Sequence, residues 1–369
     1  MEKSIENIIL NGNDNELVDI QSLNYNPKKI LSHPRLKGYA IYSDNLKSIL
    51  DKLDKMANSR GVPLLITGDT GSGKELISEY MHYEVDKDTG EYVAFNCSNI
   101  NKELFESELF GYEKGAFTGA HSKGKEGYFQ QAKGGTLFLD EITEINHEIQ
   151  AKLLRVLETG EYYKVGGRKK YKIDSRLIFA TNKNLEKLVE DGEFREDLYY
   201  RLNIVNAEIP KLSERREEII PLVVFFINHL NQQFQKSVQY IEKKVLKLFY
   251  YYTWPGNIRE LKNFITQLMI FTNDESINFD HLQIKDKLDH HYTKSFKPKQ
   301  ETDLLTEEEI IEKLLKKPIN IENFTRKVIQ RALNKFKGNK AKTARYLGLK
   351  REQLYNRYRI DQLKEESKK

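Results

Sequence analysis

The chain has 369 residues, 39% hydrophobic and 31% charged, enough for two or three packed domains and unlike a disordered or fibrous chain. A single cysteine, Cys97, excludes a disulfide framework and a multi-cysteine zinc site, the run IIPLVVFFI at 219–227 is too short to span a bilayer, and MEKSIENIIL lacks a signal-peptide cleavage pattern, so the cytoplasm is expected. Net charge is +5, but Arg331–Ile360 holds ten Lys or Arg against one acid, Glu352, so this one segment suits nucleic acid while the remaining body is close to neutral.

Residues 1–32 are polar and Asn-rich without a sustained period, and read as a tail. From 33 to 215, short apolar runs bounded by Gly, Asn or Asp alternate with helical patterns: VPLLITG (62–68), YVAFNC (92–97), GTLFLDE (135–141) and SRLIFATN (175–182). Such runs are buried parallel strands, so an α/β fold with helices on both faces of a sheet is expected. GDTGSGKE follows the first run and opens a helix, which is the context of a phosphate-binding P-loop. Gly68, Asp69, Thr70, Gly71, Ser72 and Gly73 would wrap phosphate oxygens with backbone N–H groups, and Lys74 would reach the β and γ phosphates. Glu75 stands where Ser or Thr usually binds magnesium.

LFGYEKGAFTGA (109–120) is too glycine-rich for a regular element, since Gly115 and Gly119 each cost roughly 1 kcal/mol there. Gly115, Ala116, Phe117, Thr118, Gly119 and Ala120 therefore form a loop, and the Phe at its tip is either packed down or used to touch something. TLFLDE then ends a strand on Asp140, positioned to hold Mg2+, and Glu141, positioned to polarise an attacking water. Asn182 of ATN can sense the γ-phosphate between the two motifs, and nucleotide hydrolysis is the activity these parts imply.

FREDLYYRL puts Arg195 and Arg201 six apart on an expected helix, neither with an acid at i+4 to tie it up. Either can serve as an arginine finger, which a neighbouring subunit can supply. From 216 to 285 the pattern becomes helical, and WPGNIREL offers Arg259 at the start of a helical lid. Residues 286–320 are charged and read as a linker, and 321–369 as a small helical domain.

Taken together, GDTGSGKEL, FNCSNI, ESELFGYEKGAFTGA, GGTLFLDEI, QAKLLRVLETGEYYKVGG, FREDLYYRLN and WPGNIREL resemble the AAA+ domain of bacterial enhancer-binding proteins, the activators of sigma-54 RNA polymerase, from about Pro34 to Leu282. The resemblance implies an ATP- and Mg2+-dependent ATPase that works as a ring, most simply a hexamer, and a GAFTGA loop that touches the sigma factor through Phe117 and Thr118. It also implies that Asn96 hydrogen-bonds the catalytic Glu141 and relays γ-phosphate loss, and that Glu75 is normal. Asp69, Lys211 and Ser213 depart from the family pattern and bear on subunit packing.

GNKAKTARYLGLKREQLYNRYRI (338–360) resembles the Fis-type helix-turn-helix of these activators. Ala344 and Leu347 form an apolar face, Gly348 the turn, and Lys350, Arg351, Gln353, Asn356 and Arg357 lie on the side of the second helix that would read DNA bases. Phe324, Val328, Ile329, Ala332, Leu333 and Phe336 have an apolar helical spacing wide enough for a dimer as well as a core. A AAA+ machine of another kind, or a DNA-binding regulator with a vestigial ATPase, are the competing readings. Only some 30 residues precede the ATPase, too few for a sensory domain. Intrinsic competence, restrained by a separate inhibitor protein or by abundance, is therefore expected, and removing residues 1–30 should be nearly neutral.

Overall fold

The computed structural model describes residues 13–23, 26–36, 39–87, 90–99, 102–117, 123–272 and 275–279, with 325, 328–329, 331–333, 336 and 339–349 of the C-terminal part. The chain divides into two units, Met1–Phe296 and Lys297–Lys369.

The first strand, β1 (Leu17–Asp19), lies far from the sheet the sequence predicts: it pairs antiparallel with Tyr240–Glu242 of the lid. Val18, Ile20 and Leu23 are buried in the lid core. Lys243 Nζ meets Glu16 at 3.1 Å, and Lys247 Nζ meets Asp14 at 2.5 Å. Residues 13–23 are thus an integral edge of the lid, and the expected tail is corrected to that extent. One buried residue, Val18, in the three-residue strand LVD carries too little period to be read as structure.

The central sheet comprises β2 (Leu64–Thr67), β3 (Tyr92–Asn96), β4 (Thr136–Asp140), β5 (Arg176–Thr181) and β6 (Val205–Glu208), in the order β6-β2-β5-β4-β3. All neighbours are parallel. β2, β4 and β5 are buried nearly throughout, as expected of apolar runs covered on both faces. The edge strand β6, VNAE, was not read from the sequence, because only Ala207 of its four residues is buried. Register aligns Asn96 with Asp140 across β3 and β4, at the carboxyl ends where open α/β sheets bind ligands. At the opposite end Arg176 is fully buried against Asp86, with its remaining donors on the carbonyls of Met56 and Ser59.

The lid packs α1 (Ile219–Phe234), α2 (Lys243–Tyr251) and α3 (Asn257–Phe271) around Trp254, whose indole N–H donates to Phe249 O at 2.8 Å. In the C-terminal unit, Asn339 caps the helix Lys340–Tyr346. Ala344 is buried against Leu333, Leu347 and Leu349, and Gly348 turns the chain at φ +67°. Ile329 and Ala332 are buried as the apolar spacing requires. Phe324 and the base-reading candidates Lys350, Arg351, Gln353, Asn356 and Arg357 lie outside the described residues.

Candidate nucleotide-binding site

After β2 the backbone turns at Gly68 (φ +153°), Gly71 (+75°) and Gly73 (+103°), conformations that side-chain-bearing residues rarely adopt. Two of these glycines also have no room for a side chain: a Cβ at Gly71 would lie 2.5 Å from Gly256 O, and one at Gly68 2.9 Å from Ile209 O. Lys74 opens the following helix, Lys74–Tyr80, and is buried with its ammonium donating to Gly68 O at 2.9 Å. It has no carboxylate partner among the described residues, so a buried cation stands ready for phosphate oxygens.

Asp140 and Glu141 sit where β4 ends. Asp140 Oδ1 accepts from Glu141 N at 3.0 Å, and Glu141 takes the left-handed region at φ 53°. Asn182 stands at both halves of the site: its Nδ2 donates to Thr70 Oγ1 at 2.8 Å, and its backbone amide favours the charged form of the Glu141 carboxylate. Burial raises the Glu141 pKa above the ordinary glutamate value, Asp140 adds to the rise, and Lys74 opposes it. Asn96 departs from the expectation. Its Nδ2 donates to Asp140 Oδ2 at 3.3 Å rather than to Glu141, while its Oδ1 is fixed by Ser98 N and Oγ at 2.9 and 2.6 Å.

No group of three or more His, Cys, Asp or Glu capable of caging a metal occurs among the described residues. A magnesium ion arriving with a nucleotide needs only one or two carboxylates beside phosphate oxygens and waters, and Asp140 at the end of β4 would be the carboxylate to hold it.

Two contributors were missed by sequence reasoning. Asn257, buried and in the left-handed region at φ 53°, accepts from Leu212 N at 2.8 Å and donates to Thr70 O at 3.2 Å. It ties the P-loop, the segment entering the lid and α3 into one junction, alongside Ile258 N on Gly71 O at 3.0 Å. Arg215, also buried, donates to the carbonyl of Ser72, and burial lowers its pKa. Asn257 stood in WPGNIREL beside Arg259, where charge drew the reading to the arginine. Arg259 is exposed, and its Cβ and backbone N crowd the side of Gly71 that lacks a side chain.

Glu196–Leu202 is the short helix expected of FREDLYYRL, but Arg195 is its N-cap rather than a helical residue. Its guanidinium grips Asp197 with two bonds, Nε to Oδ1 at 3.0 Å and Nη2 to Oδ2 at 2.6 Å. The local acid is therefore at i+2, where the i+4 criterion did not look. Arg201 donates from Nε and Nη2 to Leu157 O at 3.3 and 3.0 Å.

The GAFTGA segment rises from a two-residue hairpin, Gly111–Tyr112 with Lys125–Glu126. Gly115 has φ +73°, and the Phe117 ring packs edge-on to Tyr112 at 5.0 Å yet stays 42% exposed. The ring is thus supported on one side by Tyr112 and open to solvent on the other. Thr118, Gly119 and Ala120 lie outside the described residues.

Residues 40–208 match the family model of the sigma-54 interaction domain, 213–300 the AAA+ ATPase lid domain, and 320–359 a bacterial regulatory protein domain of the Fis family. NtrX from Brucella abortus, solved in complex with ADP, is 30% identical with a TM-score of 0.61, over 87% of this chain and 69% of that one. The chain belongs to the sigma-54-dependent transcriptional activators. A signal-transduction and transcriptional-control protein of Clostridium beijerinckii is 39% identical over 313 residues, 85% of this chain and 46% of that protein. The regulatory protein AtoC of Escherichia coli is 38% identical over 293 residues, 79% and 60% respectively. The chain spans about half the length of the curated relatives it matches. Among the described residues no helix is long and apolar enough to cross a membrane.

Proposed function

We propose that this activator binds ATP with Mg2+, assembles into a ring of up to six copies, binds DNA upstream of a promoter, and uses hydrolysis to remodel sigma-54 RNA polymerase. The observation that carries this reading is the position of Asn182, whose side chain donates to the P-loop hydroxyl of Thr70 while its backbone amide favours the charged form of Glu141. A residue so placed senses whether a γ-phosphate lies between them. Lys74 and the loop amides hold the phosphates, Asp140 holds magnesium, and Glu141 takes the proton of the attacking water. Arg195 or Arg201 of a neighbouring copy stabilises the charge that develops on the transferred phosphoryl group, and Arg259 completes the site from the lid.

Asn96, held on Asp140, relays loss of the γ-phosphate, and the exposed Phe117 supplies the apolar contact to the sigma factor. Lys350, Arg351, Gln353, Asn356 and Arg357 read the upstream site. A separate inhibitor protein acting on the ATPase domain is a compatible means of control.

The test is ATP turnover by the purified chain across a range of concentrations, followed by open-complex formation on a sigma-54 promoter. Turnover per subunit rising with concentration, with opening that needs hydrolysable ATP, supports the reading. Full turnover by a dilute monomer sinks the ring, and normal turnover without opening favours a AAA+ machine of another kind.

A further inference from the structure

Glu161–Lys172 forms a second hairpin, from strands Glu161–Tyr163 and Lys170–Lys172, that neither the nucleotide chemistry nor Phe117 uses. It carries five cations, Lys164, Arg168, Lys169, Lys170 and Lys172, against one acid, Glu161. The pairing puts Tyr162 and Tyr171 on one face, where Tyr162 stacks against Phe129 at 5.2 Å. Glu161, Tyr163, Lys170 and Lys172 share the other face.

Lys170 alone has an acid, Glu161 at 2.9 Å. Lys164 and Lys169 both sit over the Tyr171 ring, at 5.1 and 5.2 Å, and Arg168 and Lys172 are exposed. None of these four reaches a carboxylate within 4 Å among the described residues. Among the described residues the acid held against the hairpin from outside is Glu113, on Tyr171 OH, so an excess of positive charge remains there.

The hairpin is also fastened to the GAFTGA segment. Glu113 N donates to Val165 O at 3.0 Å, Val165 N to Gly111 O at 2.8 Å, and Tyr171 OH to Glu113 Oε1 at 3.1 Å. Gly166 lies so close to Ala116 that a Cβ there would come within 2.9 Å of the alanine methyl. Whatever Phe117 approaches, these cations approach with it.

We propose that this hairpin is a second DNA-contacting element, which grips the sugar–phosphate backbone beside the sigma-contact loop. Several unpaired cations spread over a protruding hairpin fit a repeating line of phosphates better than one small anion. Tyr163, exposed and paired opposite Lys170, adds a face on which an unstacked base can lie. DNA is at hand because the same chain carries a Fis-family domain. The proposal rests on the reading above only for where the loop is delivered.

The experiment measures binding of the full chain to a labelled duplex with a central unpaired bubble, without polymerase, from 50 to 200 mM salt. Wild type is compared with the exposed-charge variant Arg168→Gln/Lys169→Gln/Lys172→Gln and with a control, Lys52→Gln/Lys55→Gln/Lys133→Gln. If each cation holds a phosphate, the first variant lowers the log–log salt slope by about 2–3, at roughly 0.9 per contact, and weakens low-salt binding at least about tenfold. The control and ATP turnover stay unchanged. Identical slopes and affinities for wild type and the first variant overturn the proposal. So does an unchanged slope combined with weaker binding of purified sigma-54 in the absence of DNA, which assigns the cations to an acidic protein surface. Because no polymerase is present, failure to open promoters leaves this readout intact.

Discussion

The nucleotide site and the contact loop are built on opposite plans. At the nucleotide site polar groups are partnered, and the deepest are buried: Lys74 on Gly68 O and Asn257 on Thr70 O and Leu212 N, with the exposed Asn182 on Thr70 Oγ1. At the loop, Phe117 stays open to solvent, and four of the five cations of the adjoining hairpin reach no carboxylate within 4 Å among the described residues. The first region holds a fixed geometry because displaced phosphate-binding groups lose their effect within about an ångström. The second is left incomplete, as a surface that a partner finishes. Mutations should therefore separate fuel consumption from output, and they can be ranked by how deeply each cuts into the preorganised side.

The largest effect belongs to Glu141. Glu141→Gln should reduce ATP turnover about 10³-fold or more while leaving nucleotide binding measurable by titration, and Lys74→Ala should lose binding as well. Phe117→Ala should keep turnover within about twofold and lose promoter opening. If Phe117→Ala lowers turnover as much as Glu141→Gln, the two plans are not separable.

The raised pKa of Glu141 adds a pH dependence with a definite sign. The active carboxylate is lost on acidification at a pH above the ordinary glutamate range, so the acid limb of the turnover profile should lie above that range. A raised folded-state pKa means the folded chain binds this proton more tightly than the unfolded chain, so the group favours folding at low pH and loses that contribution as pH rises. Glu141→Gln removes the charged form's cost, and the ligand-free variant should gain more Tm at pH 8 than at pH 5. Equal gains at both pH values would assign the effect to something other than charge.

Next in size is Asn257. Asn257→Ala leaves Thr70 O and Leu212 N without their partner and puts alanine at a positive φ, a loss of about 2–4 kcal/mol. Both Tm and ATP affinity should fall. Asn257→Asp keeps the acceptor for Leu212 N but cannot donate to Thr70 O, so it should recover part of the Tm while ATP affinity stays low. Equal recovery of both would show that the P-loop bond is unimportant.

The same contrast explains what could be read from sequence. Four sheet strands, the P-loop and the acidic pair were legible because an apolar run or a spaced glycine constrains the fold locally. β6 was not, because one buried Ala in VNAE gives no period. Asn257 and Arg215 were not, because their roles depend on backbone groups about 187 and 143 residues away that only the folded chain brings near. The Asn96 partner was assigned one residue off because Asp140 and Glu141 are adjacent, and only the left-handed turn at Glu141 decides which carboxylate faces β3.

The N-terminal edge of the lid ranks third, and it reverses the expectation that residues 1–30 are dispensable. Leu23→Ala should destabilise the lid by about 2–3 kcal/mol, seen as a lowered denaturation midpoint, because the side chain is buried among Ile220 and its neighbours. Removing residues 1–23 also uncovers the pairing edge of Tyr240–Glu242, a template for association with other chains. Light scattering should rise for the truncated chain. Unchanged stability and scattering would restore the tail reading.

The smallest effect concerns two positions that depart from the family pattern. Asp69 and Lys211 face each other across the mouth of the P-loop at 3.2 Å, and both side chains are about half exposed. The departures are thus compensated within one subunit, as an ion pair between the P-loop and the segment that enters the lid. Exposed pairs of this kind are screened by solvent and contribute about 0.2–1 kcal/mol. Lys211→Ala and Asp69→Ala should each shift stability by that little, the double variant should match either single one, and the difference should vanish as salt is raised from 50 to 500 mM. ATP turnover per subunit should be unchanged at a concentration that saturates assembly. A large loss of turnover at limiting concentration, restored by more protein, would instead mean that the pair faces a neighbouring copy and that the preorganised region extends across the subunit boundary.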